Sequence, residues 1–299
     1  MMEELNACPV CKNTQISHKK SICDYSITKE FFSIMICSSC GFLFTNPRPP
    51  ADKIGRYYES DDYISHSDSD KGLISKLYKF IRNIALKSKL KLMEKHCAGD
   101  RTLLDYGAGT GAFLSVAKSN GWHVQGLEPN DSARMVALEK HAIELKDSLA
   151  LYALPSNSIG TITLWHVLEH IHLLDETIWE LKRVLRDNGT MIIALPNCSS
   201  HDAIYYGDYW AAYDVPRHLY HFQPFHVEQF AKRHRLEIVE YVPMKFDAFY
   251  VSMLSEKYKT GSTNYLKAFL QGWKSNRAAK GDSKKFSSVI YILKKNKSK

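Results

Sequence analysis

Two pairs of cysteines and one run of alternating glycines carry much of the chemistry available to this chain of 299 residues. Cys8-Pro9-Val10-Cys11 and Cys37-Ser38-Ser39-Cys40 are CxxC pairs separated by 25 residues, a spacing at which two tight turns each offer two thiolates to one ion. Cys8, Cys11, Cys37 and Cys40 therefore predict a closed four-sulfur zinc site, with iron as the alternative metal. Such a site is structural, because no coordination position stays open for a substrate. A redox dithiol fits less well, since neither pair stands in a βαβ setting. The alternation Phe31-Phe32-Ser33-Ile34-Met35-Ile36 reads as a strand leading into the second pair, as in a zinc ribbon. Cys23, Cys97 and Cys198 are left over as small buried thiols, and His18 as a surface residue.

The glycines stand in Thr102-Leu103-Leu104-Asp105-Tyr106-Gly107-Ala108-Gly109-Thr110-Gly111, a short apolar strand running into a turn before a helix that opens at Ala112. Three glycines let the backbone turn tightly and approach a ligand at the carboxyl end of a first parallel strand. A dinucleotide fingerprint is also satisfied by Gly107, Gly109 and Ala112, but Asp105 opposes a pyrophosphate and suits a cationic or amine-bearing ligand. Glu128 closes the next strand, where a carboxylate can accept from both hydroxyls of a ribose. A second concentration lies downstream: Tyr205, Tyr206, Tyr209 and Trp210, then Asp214-Val215-Pro216-Arg217-His218-Leu219-Tyr220-His221-Phe222. That stretch reads as a lid or wall over a polar organic substrate. His218 or His221 is the expected general base, an imidazole titrating near neutrality, with capping or pocket filling as the competing role. Arg217 is either a clamp for an acceptor phosphate or carboxylate or the partner of Asp214.

The elements that must position these groups follow from periodicity. Residues 102–195 alternate short strands rich in Ile, Leu and Val with helices, which predicts an α/β fold with a mostly parallel sheet covered on both faces. Ligands in such sheets bind beyond the carboxyl ends of the strands, where Gly107, Glu128, Asp147 and His166 converge. Residues 237–243 and 287–293 supply two closing strands. Asn46-Pro47-Arg48-Pro49-Pro50 cannot be helical and ends a first module near residue 48. Leu73, Leu77, Phe80, Ile81, Ile84 and Leu90 then recur at helical spacing up to about Lys95. The expected organisation is a four-cysteine module over 1–48, a linker and amphipathic helix over 49–96, and a ligand-binding domain over 97–299 with an acceptor-site insertion at about 197–223. Tyr57, Tyr58 and Tyr63 either close over the ligand or pack the linker.

Composition is that of an ordinary globular protein, 44% hydrophobic and 24% charged. Met1-Met2-Glu3-Glu4 lacks a basic n-region with an apolar core behind it, and the longest uncharged run contains Pro155, Ser156, Asn157 and His166. Neither an export signal nor a membrane span is expected, and a reducing, cytoplasmic setting fits the odd number of cysteines. The formal charge of +8 sits at one end: residues 274–299 hold nine basic residues against one acid, while residues 1–273 balance at 31 of each. This charge reads as a flexible loop and a tail flanking the last strand, and it weakens a nucleic-acid reading for the body of the protein.

The motifs of residues 102–243 together resemble the class I S-adenosylmethionine-dependent methyltransferases. Asp105 to Gly111 is similar to the first motif of that family, Gly126-Leu127-Glu128-Pro129 to its ribose-binding strand end, and Lys146-Asp147-Ser148-Leu149, after a third short strand expected at 142–145, to the segment whose acid meets the adenine amine. Trp165-His166-Val167-Leu168-Glu169-His170 resembles its "VLEH" stretch, and Arg183-Val184-Leu185-Arg186-Asp187-Asn188-Gly189 its "RVLKPGG" turn. The resemblance implies a Rossmann-like seven-stranded sheet and S-adenosylmethionine as co-substrate, held by Asp105, Gly107, Ala108, Gly109, Gly111, Glu128, Pro129, Asp147, Ser148 and His166. Gly160 stands where the family usually has Asp, and Asp187 and Asn188 replace the "PG" of the turn. The "PRHLYHF" segment is similar to one in a subgroup with cysteine-rich N-terminal extensions that modifies sugars or secondary metabolites. A small polar acceptor is thus expected. An RNA methyltransferase and a non-catalytic donor-binding scaffold are the alternatives, the first lacking a Pro-Pro-Tyr type tetrapeptide after the fourth strand. Related quinone-type enzymes hold a divalent cation where Glu169 and His170 fall, although His166 replaces their earlier acid.

Overall fold

The computed structural model describes residues 1–58 and 73–296, with the backbone alone over 73–80. Tyr63 lies outside the described residues. The larger sheet is built from β4 (Thr102–Tyr106), β5 (His123–Leu127), β6 (Ile159–Trp165), β7 (Leu185–Pro196), β9 (Leu236–Pro243) and β10 (Ser288–Lys295), in the order β5-β4-β6-β7-β10-β9. The first four strands are parallel, and β10 runs antiparallel to both of its neighbours. Six strands are formed among the described residues. In the seventh place, where residues 142–145 are expected to pair, there is one parallel bridge between Leu127 and Lys146. The segment is too short to extend further: Ala142 closes the preceding helix with a φ of 50°, and Asp147 already caps the turn that follows.

Every residue from Thr190 to Leu195 of β7 is buried, as expected for a central strand covered on both faces. Helix α4 (Leu174–Val184) covers one face through Leu174, Ile178, Leu181 and Val184, which recur at helical spacing. On the other face α1 (Leu73–His96) and α2 (Ala112–Ser119) bring Leu90, Met93, Phe113 and Leu114 into one cluster with Ile192 and Ile292. Helix α3 (Asp131–His141) follows β5, started by the Asn130 side chain, which accepts from the Ala133 N–H at 2.9 Å.

The N-terminal residues form a second, antiparallel sheet of β1 (Ile16–Cys23), β2 (Phe31–Cys37) and β3 (Leu43–Thr45), and its fourth strand, β8 (Tyr220–His221), comes from the far half of the chain. Leu43 pairs with His221 and Phe44 with Tyr220. The aromatic stretch 205–222 is therefore an internal wall. Tyr206, Trp210, Tyr213, Tyr220 and Phe222 are all buried, supported by α5 (His201–Tyr206) and by α6 (Pro224–Arg233). Further ties join the two sheets: Arg48 pairs with Glu3 at 2.9 Å and donates to the Tyr220 hydroxyl at 2.8 Å, and Arg233 donates to the carbonyls of Pro9 and Val10.

The basic end of the chain is more ordered than its composition implies. Helices α7 (Asp247–Thr260) and α8 (Tyr265–Ala278) join β9 to β10, so Lys274 and Arg277 stand on a helix rather than in a flexible loop. Strand β10 continues to Lys295, pairing Lys294 with Glu237 and Lys295 with Leu236.

Candidate functional site

At the carboxyl ends of β4 and β5 the chain turns through Gly107, Gly109 and Gly111, with φ of 77°, 54° and 73°. A Cβ on Gly107 would stand 2.5 Å from Val167 Cγ2, so packing as well as φ demands glycine there. The backbone amides of Gly107 and Ala108 both donate to the Leu127 carbonyl, at 2.8 and 3.0 Å, which ties the turn to β5. Glu128 accepts from the Gly109 N–H at 2.8 Å and from the Asn130 N–H at 3.0 Å, and burial raises its pKa. Asp105 is buried, accepts from Thr163 Oγ1 at 2.6 Å, and is pushed by burial up to about 7. Pro129 is exposed beside this crevice. Asp147 stands at the rim, accepting from the Leu149 N–H at 2.8 Å, and Ser148 opens the 3-10 turn that it caps.

His166, at the end of β6, has a left-handed φ of 57°, a conformation that non-glycine residues adopt mainly where surrounding structure enforces it. Its Nε2 lies 3.0 Å from Asp247 at the start of α7 and its Nδ1 3.6 Å from Glu169. Burial would lower this imidazole, but the two carboxylates outweigh it and raise the pKa to about 9. Lys89 of α1 lies 4.4 Å above the Trp165 ring, and its charge faces Asp105 and Asp247. Sequence reasoning reached neither Lys89 nor Asp247. Both come from helices distant in the chain, and no local motif marks them.

Beyond His166 the turn after β6 meets the 205–222 wall. Glu169 is fully buried, and neither carboxylate oxygen has a hydrogen-bond partner. His218 Nε2 lies 4.0 Å from it, while His218 Nδ1 donates to the Ala212 carbonyl at 2.8 Å. That bond makes Nδ1 the donor and leaves Nε2 facing Glu169 and, also at 4.0 Å, Asp214. His170 Nδ1 is 2.9 Å from the Tyr58 hydroxyl and 3.0 Å from the Arg217 carbonyl, and burial together with the nearby His218 lowers its pKa to about 4. Ligand atoms of Glu169, His170 and His218 all lie within 4.8 Å of one another, a carboxylate and two imidazoles that fit a divalent cation. Tyr57 packs edge-on against Phe32 at 5.5 Å.

Two expected participants are placed elsewhere. His221 is buried with Nε2 3.2 Å from Thr45 Oγ1 and its ring against Tyr213, and burial holds its pKa well below the usual imidazole range. Arg217 is not free to clamp an acceptor. Its guanidinium meets Asp214 at 2.7 Å and Asp24 at 2.8 Å and donates to the Tyr57 carbonyl at 2.8 Å and to Ser26. Arg217→Met, which strands two carboxylates, should destabilise the fold by about 3–5 kcal/mol. An unchanged denaturant midpoint would contradict this reading of the pair.

The four cysteines meet as their spacing requires. Cys8 Sγ is 3.6 Å from Cys40 Sγ and Cys11 Sγ 3.5 Å from Cys37 Sγ, and all four atoms lie within 4.8 Å of one another. A tetrahedral ion with Zn–S bonds of about 2.3 Å sets its sulfurs about 3.8 Å apart, so the donor set fits. Each pair ends in a left-handed residue, Lys12 at φ 64° and Gly41 at φ 75°, which turns the chain back over the site.

Residues 78–241 match the family model of the methyltransferase domain. The chain belongs to this family. As a class I S-adenosylmethionine-dependent methyltransferase it shares its fold with geranyl diphosphate methyltransferase in complex with S-adenosylmethionine, at 14% identity and a TM-score of 0.53 over 78% of this chain and 95% of that one. Geranyl diphosphate C-methyltransferase from Streptomyces coelicolor A3(2) gives 13% identity and a TM-score of 0.50 over 77% and 88%. The [4+2]-cyclase SpnF gives 18% and 0.50 over 70% and 80%. No curated protein matches the methyltransferase chain in sequence.

Proposed function

We propose that the protein transfers the methyl group of S-adenosylmethionine to an ionisable group of a small polar acceptor seated against Glu169 and His218. The observation that carries this reading is a fully buried carboxylate with neither oxygen hydrogen-bonded, 3.6 Å from His166 Nδ1 and 4.0 Å from His218 Nε2 beside the strand ends. The His166 imidazole offsets the buried charge without hydrogen-bonding to it, and a polar substrate would supply the missing bonds. In the transfer, the acceptor's lone pair attacks the methyl carbon, the carbon–sulfur bond breaks towards sulfur, and the acceptor proton passes to His218 Nε2. Most of the acceleration then comes from holding the two reactants in line. On the donor side, Gly107 to Gly111 give backbone approach, Glu128 accepts from the ribose hydroxyls, Asp105 faces the donor's positive charge, and Asp147 and Ser148 border the adenine.

We assign zinc to the four cysteines, where it holds the N-terminal sheet that pairs through β3 with β8 of the 205–222 wall. The balanced charge of residues 1–273 argues against a polyanionic acceptor. Because a cyclase shares the fold, the fold alone does not establish turnover. A second reading gives Glu169, His170 and His218 to a divalent cation that would polarise an acceptor oxygen. Sustained turnover after removal of every metal except the cysteine-bound one would eliminate it.

Calorimetry with S-adenosylmethionine or its demethylated product tests the donor half. Asp105 titrates at about 7 in the free protein, and a cationic donor favours its ionised form, so the bound carboxyl must titrate lower. Binding therefore releases protons below pH 7, and affinity should rise with pH up to about neutrality and then level off. Affinity independent of pH, or no binding by the folded protein, would refute the assignment.

A further inference from the structure

Helix α8 turns its large apolar residues outward. Its buried face is Ala268, Gln271, Gly272 and Ser275, and a Cβ on Gly272 would meet Phe249 of α7 at 2.7 Å, so the small face lets the two helices close together. Tyr265, Phe269 and Trp273 recur every four residues, with Leu266 and Leu270 beside them, as one solvent-facing stripe. Leu266 is 72% exposed, Phe269 57% and Trp273 47%. Phe246 and Tyr250 of the α7 segment are also exposed. Scattered exposed apolar side chains need no explanation, but a contiguous stripe of this kind marks an interaction surface.

The charge around the stripe has one sign. Residues 244–281 carry seven Lys and Arg against two acids, and both acids are engaged within the protein: Asp247 meets His166, and the buried Glu256 pairs with Lys267 at 3.1 Å, which leaves six of the cations without an acid from this segment. At the end of α8 a shallow cleft of about 810 Å³ is lined by Lys245, Arg277, Lys280 and Trp273. The one carboxylate on its wall, Asp282, already accepts from the Lys284 N–H at 3.0 Å and lies 3.7 Å from Lys285.

We propose that the α7–α8 face is a peripheral docking surface for anionic phospholipid. The stripe lies among the acyl chains at the interface, and the cleft receives a phosphate headgroup. Aromatic and Leu residues on one side with Lys and Arg around them is the pattern of helices that rest in the plane of a bilayer. At 14 residues α8 is too short to cross a membrane, and among the described residues no helix is long and apolar enough to do so. A second copy of the chain is a poorer occupant, because a two-fold axis through the stripe would set like charges against each other with no carboxylate to answer them. The first turn of α7 also carries Asp247, the partner of His166, so the docked face and the reaction pocket share one helix.

The full chain should float with vesicles of phosphatidylcholine mixed with phosphatidylglycerol at least about tenfold more strongly than with phosphatidylcholine alone, and raised salt should release it. Leu266→Ser combined with Leu270→Ser should abolish flotation, and Arg277→Gln combined with Lys280→Gln should weaken it about tenfold or more, with the circular dichroism of both variants unchanged because these side chains are exposed. Failure of the wild-type chain to float with the anionic vesicles at low salt would overturn the proposal. So would equal binding to both vesicle types, or a concentration-dependent dimer that Leu266→Ser dissolves. Vesicle binding requires neither donor nor acceptor, so its outcome is separate from that of the methyl-transfer reading.

Discussion

Cys37→Ser is expected to unfold the N-terminal sheet and to take much of the second half of the molecule with it. Free energies for structural zinc in small thiolate sites run to about 10–16 kcal/mol, comparable with the whole stability of a domain at about 5–15 kcal/mol. The loss cannot stay local, because β3 pairs with β8, and Cys8, Cys37, Phe42 and Phe44 belong to one core with Leu219, Phe222, Val227 and Phe230. His226 Nε2 also meets the Cys40 carbonyl at 2.9 Å, which ties α6 to the second cysteine turn. The wild-type protein should hold one zinc per chain at these cysteines. The variant should lose that ion and show a lowered, broadened thermal transition, with turnover falling because the 205–222 wall that carries His218 loses its support. A metal-free variant melting within a few degrees of the wild type would show that sulfur coordination is dispensable to the fold.

What could be read in the sequence follows the range over which each signal acts. The cysteine pairs, the glycine turn and Glu128 are local motifs, each working through a few consecutive residues, and the structure puts their atoms within bonding reach of one another. The alternation of strands and helices from residue 102 is likewise local, and the sheet follows it except at 142–145, where a helix cap and a turn leave no room for a strand. The assignments that moved are those set by tertiary partners. Arg217 looks like a ligand clamp because Asp24, which takes half of its guanidinium, lies 193 residues away in the chain. His218 and His221 are alike in sequence, yet a backbone carbonyl turns one towards Glu169 while Thr45 and Tyr213 enclose the other. Helix α8 turns its large residues outward, so the usual inference from apolar spacing to a core does not apply there.

His218→Ala should lower turnover by about 10²–10⁴-fold, the usual contribution of a positioned general base, while donor affinity stays within about twofold. The separation is expected because His218 stands on the 205–222 wall, whereas the donor contacts are proposed at β4 and β5. Glu169→Gln, which keeps the shape and removes the charge, tests the same pocket from the other side. If the carboxylate orients the acceptor or supports the imidazolium that forms at His218, turnover should fall by a similar factor. Stability should fall somewhat as well, because His166 loses one of the two carboxylates that face it. A purely structural Glu169 predicts that loss of stability alone, with turnover per folded molecule preserved. His221→Asn serves as the control, since it alters a buried contact to Thr45 without approaching Glu169, and it should change thermal stability more than rate. If His221→Asn abolishes turnover in folded protein while His218→Ala leaves it intact, the base has been assigned to the wrong imidazole.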